Sequence, residues 1–321
     1  MFKRVFYLII SSLLLNGKEF SINSLGMGGV DIGIGANSKS ILLNPANIPL
    51  KNSIGVEFIN TIFLNSRSLD FLKELSSNNS KKISDLMDKN IGRDLEILED
   101  NFLSIYGSGK SYSWLVGAYN IVEGDFITHT GFGSIGAMES FIDRYSMVIG
   151  SLSKREESFK YGANIRAVTK YRTIHNYTIG EIIETNSIFD YFDNRYTKSR
   201  DAVAFDIGGV YNIDRFNIGV SILDIGDTSF GEFGRIKSSS NIGVSTKYGE
   251  TLFGVDFIDI FYNSIKESFR FGLSRDINSF RLNSGILNGN LAFGVDYKYS
   301  ILNLSLNFYR DRYQFLLSLN W

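Results

Sequence analysis

The sequence predicts an all-β fold, a transmembrane antiparallel β-barrel of about 14 strands. Three observations predict it. From residue 100 to the end, large apolar residues alternate with small or polar ones at period two. Aromatic residues make up 14% of the chain and there are 31 glycines but only two prolines, and proline is excluded from strand interiors. Long connections fall at every second junction between the candidate strands, as in barrels with tight turns at one end and long loops at the other.

The elements follow in order. Residues 1–21 place Lys3 and Arg4 ahead of an apolar run from Val5 to Leu15. A membrane helix needs roughly 20 residues, so a secretory signal peptide is expected. Residues 22–51 form a separate N-terminal segment holding both prolines, Pro45 and Pro49. The barrel occupies 52–321, with strands expected at 52–64, 100–109, 111–121, 140–154, 157–174, 200–212, 215–225, 237–248, 251–262, 266–275, 279–287, 289–299, 301–309 and 312–321. Within 65–99, Leu69, Leu72 and Leu75, then Ile83, Leu86 and Met87, then Ile91, Leu95 and Leu98 recur at helical spacing, so a helical insertion is expected in the first long loop. A weaker helical signal spans Ile182–Tyr191. An even strand count puts both termini on the tight-turn side, the periplasm of a diderm bacterium.

Composition removes other classes. The chain has no cysteine, hence no disulfide scaffold and no Cys-ligated zinc. A net charge of -1 argues against a nucleic-acid partner held through phosphates. His129 and His175 are too few for a His-rich metal site, and neither sits in a recognisable triad. Gly107-Ser108-Gly109-Lys110-Ser111 resembles the end of a phosphate loop, but Ser104 stands where the first Gly is needed and a strand follows. No catalytic residue, metal or cofactor is expected, and the chain does not read as an enzyme.

In the expected barrel the large apolar face meets lipid and the small or polar face lines the lumen. With Phe159, Tyr161, Ile165 and Tyr171 outward, Lys160, Arg166, Lys170 and Arg172 point inward. The same parity turns Asp206, Asp256, Arg270 and Asp296 inward. This charge ladder reads as an internal ion-pair network that stiffens the wall, or as an attractor for a carboxylate-bearing solute.

Residues 25–48, LGMGGVDIGIGANSKSILLNPANI, resemble the N-terminal motif of the long-chain fatty-acid transporter (FadL-like) superfamily of outer-membrane barrels, closest to its TraF-like and PorV-like branch. The motif positions are Gly26, Gly28, Gly29, Asn44, Pro45 and Ala46. Read alone, the same residues also fit a first strand and a loop. Residues 205–227 are similar to paired strands of that group, with Asp224 where Asn is usual. Tyr313, Phe315, Leu319 and Trp321 share one face of the last strand and resemble the C-terminal recognition signal of outer-membrane barrels. The superfamily resemblance implies a plug folded into the barrel mouth and passive uptake of a hydrophobic or amphipathic small molecule. The C-terminal signal implies the outer-membrane assembly machinery as a partner besides membrane lipid. The alternatives are a surface-interaction, secretion- or conjugation-associated barrel and a water-filled porin.

Overall fold

The computed structural model describes residues 25–50, 54–65, 68, 85, 88–91, 94–128, 138–178, 197–310 and 312–321. Their strands are β1 (Gly55–Asn65), β2 (Asp94–Ser108), β3 (Tyr112–Thr128), β4 (Met138–Arg155), β5 (Phe159–Tyr177), β6 (Thr197–Ile213), β7 (Phe216–Leu223), β8 (Thr228–Ser229), β9 (Arg235–Ile236), β10 (Ser239–Tyr248), β11 (Thr251–Phe257), β12 (Phe269–Ile277), β13 (Phe280–Leu287), β14 (Asn290–Tyr299), β15 (Leu302–Tyr309) and β16 (Arg312–Asn320). All but β8 and β9 form one closed antiparallel ring of fourteen strands. β8 and β9 pair with each other in the connection between β7 and β10. The ring shuts where β1 pairs with β16, from Glu57 opposite Asn320 to Asn65 opposite Arg312. Closure gives each strand of the ring a paired neighbour on both sides, with β6 running beyond the end of β7 at its long-loop part.

Period two sorts the side chains. In β5, Phe159, Tyr161 and Ile165 are exposed outside, whereas Asn164, Arg166, Val168 and Lys170 are buried inside. Leu291, Phe293 and Val295 of β14 and Phe315 of β16 are likewise exposed, while Ala292, Gln314 and Ser318 are buried. So broad an exposed apolar band on a folded chain marks an apolar partner or solvent.

The fourteen expected strands form the ring, and the long connections all fall at one end, which also carries the tight β13–β14 and β15–β16 turns. Asn288-Gly289 takes φ 49 and 73, the two left-handed positions of a tight hairpin turn. The walls are uneven: β2 to β6 run 15 to 19 residues, and β7 and β10 to β16 run 7 to 10.

Several boundaries differ, among them the end of β3, at Thr128 and not residue 121. β2 begins at Asp94, so Leu95 and Leu98 belong to a strand and not to the helical insertion. Leu98 packs against a buried apolar cluster, because cross-strand pairing with β3 outweighs the short spacing signal of Ile91, Leu95 and Leu98. β11 stops at Phe257, so Phe261 lies in a turn, and Ile265–Ser268 is one helical turn ahead of β12. A positive φ of 57 at Asp259 breaks the extended run. Most of the expected helical insertion, the Ile182–Tyr191 signal and the expected signal peptide lie outside the described residues.

Residues 25–48 run inside the ring. Glycines of the wall make room for them. A Cβ on Gly272 would stand 2.5 Å from the Met27 carbonyl oxygen, on Gly219 2.5 Å from that of Ile32, and on Gly162 2.5 Å from that of Pro45. On Gly285 it would meet the Gly28 amide nitrogen, and on Gly208 the Asn44 side chain. The wall is therefore bare where another backbone lies against it.

Overpacking a fitted interior costs about 1–3 kcal/mol. Gly285→Val should lower the urea midpoint of the refolded barrel, read by tryptophan fluorescence. Gly150→Ala, whose Cβ meets only Ile165 at 3.6 Å, should leave that midpoint in place.

Candidate functional site

The internal segment is not a strand, so its amides and carbonyls have no ladder to join. A buried backbone group without a partner costs about 1–3 kcal/mol. Inward side chains of the wall supply the partners. Asp256 accepts from the amides of Asp31 at 2.7 Å and Ile32 at 3.0 Å. Arg270 donates to the Gly29 carbonyl at 3.0 Å, and Ser245 to that of Gly33 at 2.8 Å. Ser221 donates to the Leu43 carbonyl at 2.6 Å, and Asn164 to that of Ile41 at 2.9 Å. Gln314 accepts from the Leu25 amide, and Glu57 from the Ser38 amide.

The Asn-Pro-Ala motif has a structural reason. The Asn44 Nδ2 donates to the Ile32 carbonyl at 3.0 Å and to the Gly209 carbonyl of β6 at 3.1 Å. Its Oδ1 accepts from the Ala46 amide and caps the 3₁₀ turn Pro45–Asn47. One amide therefore ties two passes of the segment to each other and to the wall. Pro45 gives up an amide that the first turn leaves unpaired anyway. A second 3₁₀ turn, Ser38–Leu42, is capped by Asn37. It carries Lys39 across the lumen to Asp100 of β2 at 2.8 Å, with side chains 0% and 1% exposed.

The lumen has two sides. Toward β10 to β16 it is glycine, serine, asparagine and charge. Toward β2 to β4 it is apolar: Phe102, Tyr106, Leu115, Tyr119, Tyr145 and Met147 point inward and pack with Ile41 and Ile48. The polar inner face expected from β5 to β16 thus does not extend to β2–β4, where bulky apolar residues pack against the segment.

At the long-loop end the connection 224–238 folds over this apolar side. Phe230 and Phe233 are buried, with Phe230 edge-on to Tyr145 at 6.0 Å. Asp143 of β4 holds Lys170 at 2.8 Å and Arg172 through two hydrogen bonds of 2.7 Å. Lys170 donates to the Phe233 carbonyl, and the Arg172 and Arg200 guanidinium groups lie over the Phe233 ring. Arg166 binds Asp206 at 2.7 Å and Asp224 at 2.9 Å. Between segment and loop lies a small cavity of about 50 Å³, open in part to solvent. Leu42, Leu43, Tyr119, Ile121, Tyr145 and Met147 line one part, and Arg166, Asp224, Lys237 and Asn241 line another.

The sequence-derived ladder divides among three tasks. Arg166 and Asp206 make a pair, with Asp224 as a third member. Lys170 and Arg172 share Asp143, which the sequence reading missed. Asp256 and Arg270 hold backbone of the internal segment. Lys160 and Asp296 lie on the inner face, half-buried, away from these clusters. Gly26 lies against Gly294 and Asn307, Gly28 takes φ 65 against β12 and β13, and Ala46 is fully buried. Trp321 pairs with Val56 through both backbone bonds, while Tyr313, Phe315 and Leu319 lie on the outer face. Also missed were Lys39, Glu57 and Asp100. Parity along β1 and β2 points Glu57 and Asp100 inward, but nothing in the sequence pairs them with the segment.

Comparison with known proteins bears on the fold. No family model matches the chain, and no curated protein matches it. Solved structures do. The fold is that of two hydrocarbon channels. The CymD monoaromatic hydrocarbon channel superposes with a TM-score of 0.55 at 12% identity, covering 93% of this chain and 96% of that one. The toluene transporter TodX of P. putida gives a TM-score of 0.58 at 10% identity, covering 92% and 95%. At such identity the likeness is one of fold, carried over nearly the whole of each chain.

Removing one partner of a buried ion pair costs about 3–5 kcal/mol. Asp100→Asn should therefore lower unfolding stability strongly, and Lys39→Met combined with Asp100→Leu should recover most of the loss. Stability measured for the wild type and both variants in lipid vesicles checks the coupling.

Proposed function

We propose that the chain is an outer-membrane channel for passive uptake of small hydrophobic molecules, with residues 25–48 as its plug and both termini in the periplasm. The observation that carries the reading is the cavity beside Leu42 and Leu43, walled by aromatic and aliphatic side chains and set between the internal segment and the loop 224–238. The exposed apolar band supports a lipid surroundings, and the full-length fold likeness to two hydrocarbon channels supports the class of cargo. The buried segment across the lumen speaks against a water-filled porin.

Such a channel needs no catalytic group. The apolar wall offers burial at about 25 cal/mol per Å² of apolar surface, which a solute recovers from water without a specific bond. The segment and its polar partners bar the direct path for water and ions. Uptake of radiolabelled toluene by cells of a diderm host lacking its own hydrocarbon channels tests this. Expression should raise the initial rate several-fold over the empty host. Met147→Trp, which fills the cavity, should return it to the empty-host rate while the barrel still inserts. An unchanged rate with correctly inserted wild-type barrel rejects the reading. Planar-bilayer conductance of the wild type should fall far below that of an open pore.

A further inference from the structure

We infer that the loop 258–268, between β11 and β12, anchors one side of the barrel in the outer-leaflet interface, with Phe261, Tyr262 and Ile265 entering the lipid boundary; this rests on reading the barrel as membrane-spanning. Ile265 at 81% and Phe261 at 75% are the most exposed large apolar side chains among the described residues, and Tyr262 is 68% exposed. They sit at the long-loop end, where an aqueous surface would call for polar residues.

The loop presents them rigidly. The Ile258 amide donates to the Ser268 carbonyl at 2.9 Å, and the Ile260 amide to that of Ser240 at 3.0 Å. The amides of Tyr262 and Asn263 both donate to the Asp259 carbonyl at 3.1 Å. Ser264 and Glu267 cap the helical turn reciprocally. The apolar tip is also continuous with the outer band, since the outward rings of Phe257 and Phe269 lie directly below, 5.6 Å apart.

Height decides which partner it meets. On the tall side, Asn120, Ser146, Thr169 and Asp201 are cross-strand neighbours on the outer face. Ser146 donates to Asn120 at 2.6 Å and Thr169 to Asp201 at 2.7 Å. Below this row the outer face is apolar, with Val148, Ile165 and Val203 exposed. The row therefore marks where hydrocarbon ends. Thr169 lies eleven residues beyond the tight-turn residue Ser158, and Phe261 lies eleven beyond Glu250. Asp201 lies thirteen before Asp214, and Ile265 lies thirteen before Asn278. A turn rises less per residue than a strand, about 3.3 Å in the latter. Phe261 and Ile265 thus stand no higher than the row. Amphipathic aromatic residues favour that level, and Lys266 can extend its charge toward lipid phosphates.

The chain has no cysteine, so single-cysteine variants carry one spin label each. Phe261→Cys and Ile265→Cys, with Phe293→Cys in the mid-band and Ser229→Cys in the loop 224–238 as references, are reconstituted in phosphatidylcholine vesicles. Labels at 261 and 265 should show a ratio of oxygen to nickel-chelate accessibility several-fold above that at 229 and approaching that at 293. Nickel accessibility at 261 and 265 equal to that at 229 overturns the anchor and assigns the patch to a protein partner. Loss of oxygen preference at 293 as well rejects the membrane-spanning reading itself.

Discussion

A backbone that enters a closed barrel without joining its sheet must find every hydrogen bond on side chains of the wall. That constraint organises this structure. Residues 25–48 leave amides and carbonyls facing β5, β7, β10, β11, β12 and β16, and each of those strands answers with an inward polar side chain. The same closeness excludes a Cβ at Gly162, Gly208, Gly219, Gly272 and Gly285. Polar partner and bare glycine are two consequences of one contact.

The opposite side of the lumen obeys a different requirement. There phenylalanine, tyrosine, leucine and methionine from β2 to β4 pack against the segment and fill part of the space. What they leave unfilled is the cavity. The aromatic pair of the loop 224–238 covers this region, held by Lys170, Arg172 and Arg200, with Asp143 holding the first two in turn. A packed polar side fixes the segment, and a looser apolar side leaves room for an apolar solute. Lys39 crosses between them, and its pair with Asp100 ties the segment to β2.

Several features were legible in the sequence because they are local. Alternation at Phe269, Phe271 and Leu273 against Arg270 and Gly272 gives strand and face together, since a pleated strand has no other way to place successive side chains. The turn residues Asn288-Gly289 mark a hairpin for the same reason. The inward direction of Arg166, Lys170, Asp206 and Asp256 follows from parity alone. The leucine spacing that ends at Leu95 and Leu98 misled, because helical spacing over so few residues competes poorly with fifteen residues of pairing to β3.

The sequence by itself determined the class of the fold, the fourteen strands, the face each side chain takes and the presence of a special segment around Asn44, Pro45 and Ala46. Only the tertiary structure decided what that segment touches, that Asp256 and Arg270 hold its backbone, that Asp143 is shared by Lys170 and Arg172, and that the lumen is apolar along β2 to β4. The physical reason is range. Parity and turn chemistry act between neighbours along the chain, whereas Lys39 meets Asp100 and Leu25 meets Gln314 only after the ring has closed and fixed which inward residues share a height.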